Sequence, residues 1–192
     1  MCDCIVLPAA QMCRCDKLPN EMIPLVETLG VGIQAAGRGA VQSRGRAIVV
    51  GSGPIGLEFA TRRYGLRRYY PSHAEARQEP ASMLVFDCTG DRDSMESSIE
   101  LLEQGGKLIF VGLINERISL FDPDLHRREA TILASRNSTP AEHRQVLDLM
   151  ESGRIDVSDW PMECARPETM ERRFPLWLNR QAGIVKAVVN WT

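Results

Sequence analysis

The 192 residues include 44% hydrophobic and 25% charged side chains and carry a formal net charge of −2. That balance excludes an intrinsically disordered chain and gives no electrostatic case for nucleic-acid binding. No apolar run approaches the ~20 residues of a membrane-spanning helix, and Met1-Cys2-Asp3-Cys4 lacks the basic start of a secretory signal, so a cytoplasmic protein with reduced thiols is expected.

The chain opens on two C-x-C pairs, Cys2/Cys4 and Cys13/Cys15. Residues 4–8 and 12–15 read as short strands around an Ala-Ala turn. Alternate residues of paired strands share a face, so four thiolates could converge on a metal; the usual zinc spacing is wider, and free thiols are the alternative. A helix is expected over 20–37, with Asn20 as its N-cap, Pro24 in its first turn and Gly37 as its stop. A polar loop follows over 39–46. The run Arg46-Ala-Ile-Val-Val50 is the continuous apolar type of a strand buried on both faces of a parallel sheet.

That strand leads into Gly51-Ser-Gly53-Pro-Ile-Gly56 and a helix over 54–64. A lone G-x-G-x-x-G is a weak signal, but here it has a strand before it and a helix after it. Gly51 permits the tight turn, Gly53 leaves room for a pyrophosphate, and Gly56 lets helix and strand pack closely. The helix start, with Pro54 near its first turn, offers free N–H groups to phosphate. The bland alternative is a structural turn that binds nothing. Further strands are expected at 67–70, 83–87, 107–112 and 130–134, with helices at 92–104 and 140–152, then a helix over 167–180 and a strand over 184–189. Alternating strands and helices imply an α/β fold: a Rossmann-like open, mostly parallel sheet with helices on both faces.

A dinucleotide site of this kind carries an acid about 20 residues past the turn, where it holds the adenosine ribose. Here that place falls on Pro71-Ser72-His73. Ser72 is the nearest match, Glu75 the nearest carboxylate, and Arg62, Arg63, Arg67 and Arg68 lie close by. A missing acid beside arginines tilts toward NADP; a solvated arginine-rich face is the equal alternative.

Several groups taken together resemble one family. They are Leu25-Val-Glu-Thr-Leu-Gly-Val-Gly32, Ala47-Ile-Val-Val-Gly-Ser-Gly-Pro-Ile-Gly56, Phe86-Asp-Cys-Thr-Gly90, Gly105-Gly-Lys-Leu-Ile-Phe-Val-Gly-Leu113, His126-Arg-Arg-Glu129, Ala134-Ser-Arg-Asn137 and Gly183-Ile-Val-Lys-Ala-Val-Val189. They are similar to the cofactor domain of the medium-chain zinc-type alcohol and polyol dehydrogenases, nearest the sorbitol and sugar-acid branch. The resemblance implies hydride transfer between a secondary alcohol or sugar-acid hydroxyl and NAD or NADP. It implies that Glu27 matches a glutamate reaching the catalytic zinc. Gly51, Gly53, Pro54, Ile55, Gly56 and Ser72 match cofactor contacts. So do Val111, Gly112 and Leu113 beside the nicotinamide, and Ala134, Ser135 and Arg136 on the next strand. Arg136 and Asn137 also match substrate-facing positions, and Lys186 a basic residue near the pyrophosphate.

Two departures accompany the resemblance. The family's catalytic β-barrel, which supplies Cys and His ligands to zinc, is represented only by its end: residues 1–37 resemble that remnant plus a connecting helix, 38–153 the dinucleotide-binding domain, and 154–192 a returning helix and strand. Also, only 33 residues separate Gly53 from Phe86, so the nucleotide fold is shortened by one strand–helix step after its second strand, around 70–82. His73, His126 and His143 form no H-E-x-x-H or i, i+4 pair and read as non-ligands, and there is neither a G-x-S-x-G nor a P-loop. The expectation is a chain limited to cofactor binding, with little or no dehydrogenase activity of its own. The alternatives are a non-enzymatic remnant acting as an oligomerisation module, with Glu116–Phe121 as an edge of a homodimer, and a truncated product with exposed apolar surface on residues 1–36.

Overall fold

A computed structural model describes residues 5–40, 46–51, 53, 69–158, 160–179 and 182–191. Among them five strands form the main sheet: β1 (Ile48–Val50), β2 (Tyr69–Tyr70), β3 (Ser82–Asp87), β4 (Leu102–Phe110) and β5 (Thr131–Ala134). All neighbours are parallel, in the order β2-β1-β3-β4-β5. The registers set Val49, Phe86, Ile109 and Leu133 in one row across the sheet. Because strand side chains alternate, this row faces one side and Ile48, Val50, Val85, Leu108 and Phe110 face the other.

Each side is covered by helices. Helix α1 (Pro24–Gly39) brings Ala35 and Val31 onto the first row. The opposite side is covered by Ala76 of α2 (His73–Ala76), Met95 of α3 (Arg92–Ser97), Ile99 and Leu101 of the 3-10 turn Ser98–Leu101, and Leu125 of α4 (Asp122–Arg128). The outer face of α1 builds a further core with α5 (Pro140–Glu151), in which Leu25, Leu29 and Ile33 meet Val146, Leu149, Met150, Ile155 and Val157. A two-stranded parallel sheet, β6 (Met162–Ala165) with β7 (Lys186–Val189), and α6 (Met170–Trp177) complete the described chain. The α/β, Rossmann-like, mostly parallel sheet expected from the sequence is therefore present. Its order also locates the shortening. β1 has a single strand, β2, on one side, whereas the full nucleotide fold (3-2-1-4-5-6) has two there.

Several sequence expectations are corrected. No strand forms at residues 5–8 or 12–15; a 3-10 turn at Ala9–Gln11 stands there instead. Its neighbours Ile5 and Val6 are exposed and have no strand to pair with, and an unpaired extended segment is not stable as a strand. Helix α1 begins at Pro24, not Asn20, and runs past Gly37 to Gly39, because Ala40 in the left-handed region (φ 52°) supplies the stop. The helix expected over 92–104 ends at Ser97 and gives way to the 3-10 turn and to β4. Glu116–Phe121 is not a strand: this loop is held by a Ser119 N–H donating to Glu96 at 2.8 Å. The outer edge of the sheet is β5. Helices α2 and α4 and strand β6 were not expected. The helix expected over 54–64 lies outside the described residues, as do Cys2 and Cys4.

The turns after β3 and β4 touch backbone to backbone. A Cβ on Gly112 would lie 2.3 Å from the Gly90 nitrogen and 2.9 Å from its Cα. No rotamer change relieves a clash with backbone. Gly112→Ala is therefore expected to cost about 3 kcal/mol of stability by urea unfolding; a loss under about 0.5 kcal/mol would show that the two turns separate freely.

Candidate active site

In an open parallel sheet, ligands bind beyond the carboxyl ends of the strands where the chain reverses its direction of winding. Here the chain moves from β1 out to β2 and returns to β3 on the other side of β1. A cleft of about 830 Å³ lies at that point, lined by Gly51 after β1, Pro71, Ser72 and His73 after β2, Cys88 and Thr89 after β3, and Gly183–Val185 ahead of β7, with Gly53 also on its wall.

The two described glycines of the turn have distinct reasons. Gly51 adopts φ +106°, and a Cβ there would press at 3.0 Å on the Cys88 carbonyl carbon and the Thr89 nitrogen. Its role is the turn itself. Among the described residues nothing stands within 4 Å of where a Cβ on Gly53 would be, and the residue lines the cleft. Pro54, Ile55 and Gly56 lie outside the described residues, as do the arginines at 62, 63, 67 and 68.

The floor of the cleft is fixed by Asp87, at the end of β3 and wholly buried. One carboxylate oxygen accepts from the Thr89 N–H (3.0 Å) and hydroxyl (2.7 Å), the other from the hydroxyls of Ser94 (2.8 Å) and Ser98 (2.7 Å). Its backbone carbonyl accepts from the Val111 and Gly112 N–H groups. Burial, and secondarily the charge of Asp87, push the Cys88 thiol well above its ordinary range, which makes it a packing group rather than a nucleophile.

Ser72 reaches the cleft as expected, and it also caps α2: its hydroxyl accepts from the Glu75 N–H and donates to the Glu75 carboxylate. The ends of β4 and β5 bring the second group of expected residues together. Val111 is buried, Leu113 exposed, and Gly112 packs on Gly90, so the space this glycine leaves is filled by protein. Beside them Ser135 is buried, its N–H donating to the Phe110 carbonyl, while its hydroxyl has no partner among the described residues. Arg136 and Asn137 are exposed, Asn137 with φ 57°. Lys186 does not line the cleft. Its ammonium donates to the Thr28 hydroxyl at 3.0 Å and lies 4.0 Å from the Glu27 carboxylate.

Two implied groups can be tested against these residues. A dinucleotide fits the described residues: the cleft stands at the switch point, and no described atom stands within 4 Å of where a Cβ on Gly53 would be. Zinc does not fit: Glu27 has an ammonium and a hydroxyl as its neighbours, and no cluster of three or more His, Cys, Asp or Glu side chains that could hold a metal exists among the described residues. Three protein ligands are the least a catalytic zinc uses. The sequence reading missed Thr89, Asp91, Asp93, Ser94 and Ser97 as cleft residues. The pattern Asp-x-x-Ser at 91–94, a helix-capping signature, was the signal that could have placed the start of α3 there.

The family model for zinc-binding dehydrogenase matches residues 30–152. The chain belongs to this family. It is 28% identical over 179 residues to L-galactonate-5-dehydrogenase of Escherichia coli (strain K12), covering 78% of this chain and 53% of that one. Among solved structures it resembles L-idonate 5-dehydrogenase of Escherichia coli K-12 MG1655 (TM-score 0.74, 17% identity, 90% of this chain and 57% of that one). It also resembles a short chain alcohol dehydrogenase of Escherichia coli CFT073 complexed with NADH (TM-score 0.77, 14% identity, 90% and 60%). The chain spans about half the length of the curated relatives it matches. No helix among the described residues of this dehydrogenase-family chain is long and apolar enough to cross a membrane.

Two expectations follow. Asp87→Ala leaves three hydroxyls and an amide without their acceptor and should cost about 3 kcal/mol by chemical denaturation, with Asp87→Asn falling between it and the wild type. Equal stability of all three proteins would remove Asp87 from this role. Second, adding equimolar zinc, or adding EDTA, should leave the thermal midpoint of the purified chain unchanged; a zinc-dependent rise would reveal a site that the described residues do not form.

Proposed function

We propose that this chain is the cofactor-binding part of an NAD(P)-dependent, zinc-type polyol or sugar-acid dehydrogenase and that it binds the dinucleotide without itself assembling the zinc centre. The observation that carries the reading is the cleft at the switch point of the sheet, lined by Gly51, Gly53, Ser72 and Thr89. The chain's own residues would then act as follows. Gly51 shapes the turn, and Gly53 admits the pyrophosphate. Ser72 and Thr89 flank the nucleoside end of the cleft. Leu113 and Ala134, exposed at the ends of β4 and β5 with Val111 and Ser135 buried beside them, would lie along the nicotinamide half. Arg136 and Asn137 stand at the exposed rim, where a polyol or sugar acid would approach. A bound nicotinamide supplies the carbon that accepts hydride from a secondary alcohol. Glu27 is assigned to Lys186 rather than to a metal, and Lys186 to Glu27 and Thr28 rather than to pyrophosphate.

A homodimer is part of the proposal. Among the described residues the outer side of β5 has no strand partner, and Ile132 on it is exposed. Cytoplasmic placement is also part of the proposal. The reading of the chain as an oligomerisation module without a ligand leaves the cleft at the switch point without a purpose.

The test is a fluorescence titration of the purified chain with NADH, alongside Gly53→Val. A Val side chain here meets no atom of the described residues within 4 Å of its Cβ, so the thermal midpoint should hold within a degree or two. Binding should weaken by at least about tenfold, because the side chain enters the space a phosphate needs. Equal NADH affinity in the two proteins would sink the proposal.

A further inference from the structure

We propose that Gly30, Ser138 and His143 are positioning residues: they lock the loop between β5 and α5 onto α1, and so hold Ala134–Asn137 in the shape that receives the nicotinamide half of the cofactor. The inference rests on the reading of this chain as a dinucleotide-binding one. The lock has three parts. The Ser138 hydroxyl and His143 Nε2 are hydrogen-bonded at 2.7 Å, and both residues are half-buried. A hydroxyl can donate or accept, so the bond forms with either neutral tautomer of the ring. Both groups rest on α1 at Gly30. A Cβ there would stand 2.9 Å from the Ser138 Oγ and 2.9 Å from the His143 Cδ2. Glycine in the middle of a helix costs stability relative to alanine. Here it makes room for this pair.

His143 stands one turn before Val146 and Leu147 on α5, and the core these make with Leu25, Leu29 and Ile33 fixes it against α1. The loop is thereby tied at both ends. At its start the Ala134 carbonyl accepts from Arg38 Nε at 3.2 Å, and the Ser135 N–H donates to the Phe110 carbonyl. At its end Ser138 is held by His143, and Thr139 closes a capping box with Glu142. Between the ties lie Arg136 and Asn137, both exposed. Asn137 has φ 57°, a region that residues with a Cβ occupy sparsely and keep where their neighbours impose it. The next residue is Ser138, and its anchor is His143. Helix α5 does not need this bond to form, because its capping box and its core already start and seat it. What the bond adds is the course of the loop, and with it the placing of Ala134 and of the exposed rim.

The experiment is a paired calorimetric titration of the full chain with NADH and with ADP-ribose, which lacks only the nicotinamide ring. The proteins are the wild type, Ser138→Ala, His143→Phe, His143→Gln and Gly30→Ala, each checked by a thermal melt. Phenylalanine keeps a ring and removes the hydrogen bond; glutamine reaches the Nε2 position and restores it. Ser138→Ala and His143→Phe should weaken NADH binding at least about fivefold and leave ADP-ribose within about twofold of the wild type. His143→Gln should bind both ligands within about twofold of the wild type. Gly30→Ala should weaken NADH as well, with its thermal midpoint held, because the helix preference of alanine offsets the crowding. If His143→Phe does not fold, Ser138→Ala, which removes a single oxygen, decides. NADH affinity unmoved by Ser138→Ala overturns the proposal. So does an equal loss for both ligands, which marks damage to the whole fold, or a glutamine variant no better than phenylalanine. A wild-type chain that binds neither ligand overturns the dinucleotide reading and this inference with it, whereas the other failures need a wild type that binds.

Discussion

The site depends on one buried carboxylate. Asp87 is fully removed from water and has no cationic partner among the described residues. A carboxylate in that position is tolerated only when donors replace its hydration. Here each oxygen accepts two hydrogen bonds. To deliver them, Thr89 must fold back within two residues, and α3 with the 3-10 turn that continues it must present Ser94 and Ser98 together. The carbonyl of the same residue ties down the N–H groups of Val111 and Gly112. One residue therefore sets the turn after β3, the azimuth of α3 and the turn after β4. Gly112 then nests on Gly90. The cleft floor is rigid because these constraints share a residue, not because the cleft is deep.

What was legible in the sequence was whatever declares itself locally. The run 46–50 and the glycines after it gave β1 and its turn; the apolar stretch ending at Phe110 gave the core of β4. Helix α5 was expected over 140–152 and forms there, its start closed by a capping box of Thr139 and Glu142. Helix α4 was missed although its ends follow the helix dipole, with Asp122 and Asp124 first and His126, Arg127 and Arg128 last. It has only seven residues and no buried side chain, so it left no apolar period to detect. Residues 4–8 failed the other way: the apolar pattern was there, but a strand needs a partner, and Val6 is left almost completely exposed. Of the site, the glycine turn and Ser72 were readable. Asp91 and Asp93 were not, because they reach the cleft only through the tertiary placement of α3 by Asp87.

The shortened fold is more than a loss of material. Among the described residues no strand stands beyond β2, and α2 with the start of α3 lines the cleft there. Ser72 caps α2, and His73 ties it to α3 through the Ser97 carbonyl.

The pair formed by Glu27 and Lys186 bears on how much of a dehydrogenase this chain can be. Alcohol oxidation in the family couples two groups, a cation that polarises the hydroxyl and a nicotinamide that accepts the hydride. The described residues divide these roles unequally. The residues that the resemblance matches to the nicotinamide stand together at the ends of β4 and β5. The carboxylate matching a zinc ligand faces a lysine ammonium instead, with the Thr28 hydroxyl as the ammonium's second acceptor. A fixed ammonium supplies positive charge but has no open coordination position for a hydroxyl oxygen. For zinc to take Glu27, Lys186 would have to move off and find another anion. A dinucleotide pyrophosphate, the partner implied for Lys186 by resemblance, is such an anion. Lys186, however, lies outside the cleft lining, so the pair holds Glu27 to an ammonium and leaves the dinucleotide to the cleft.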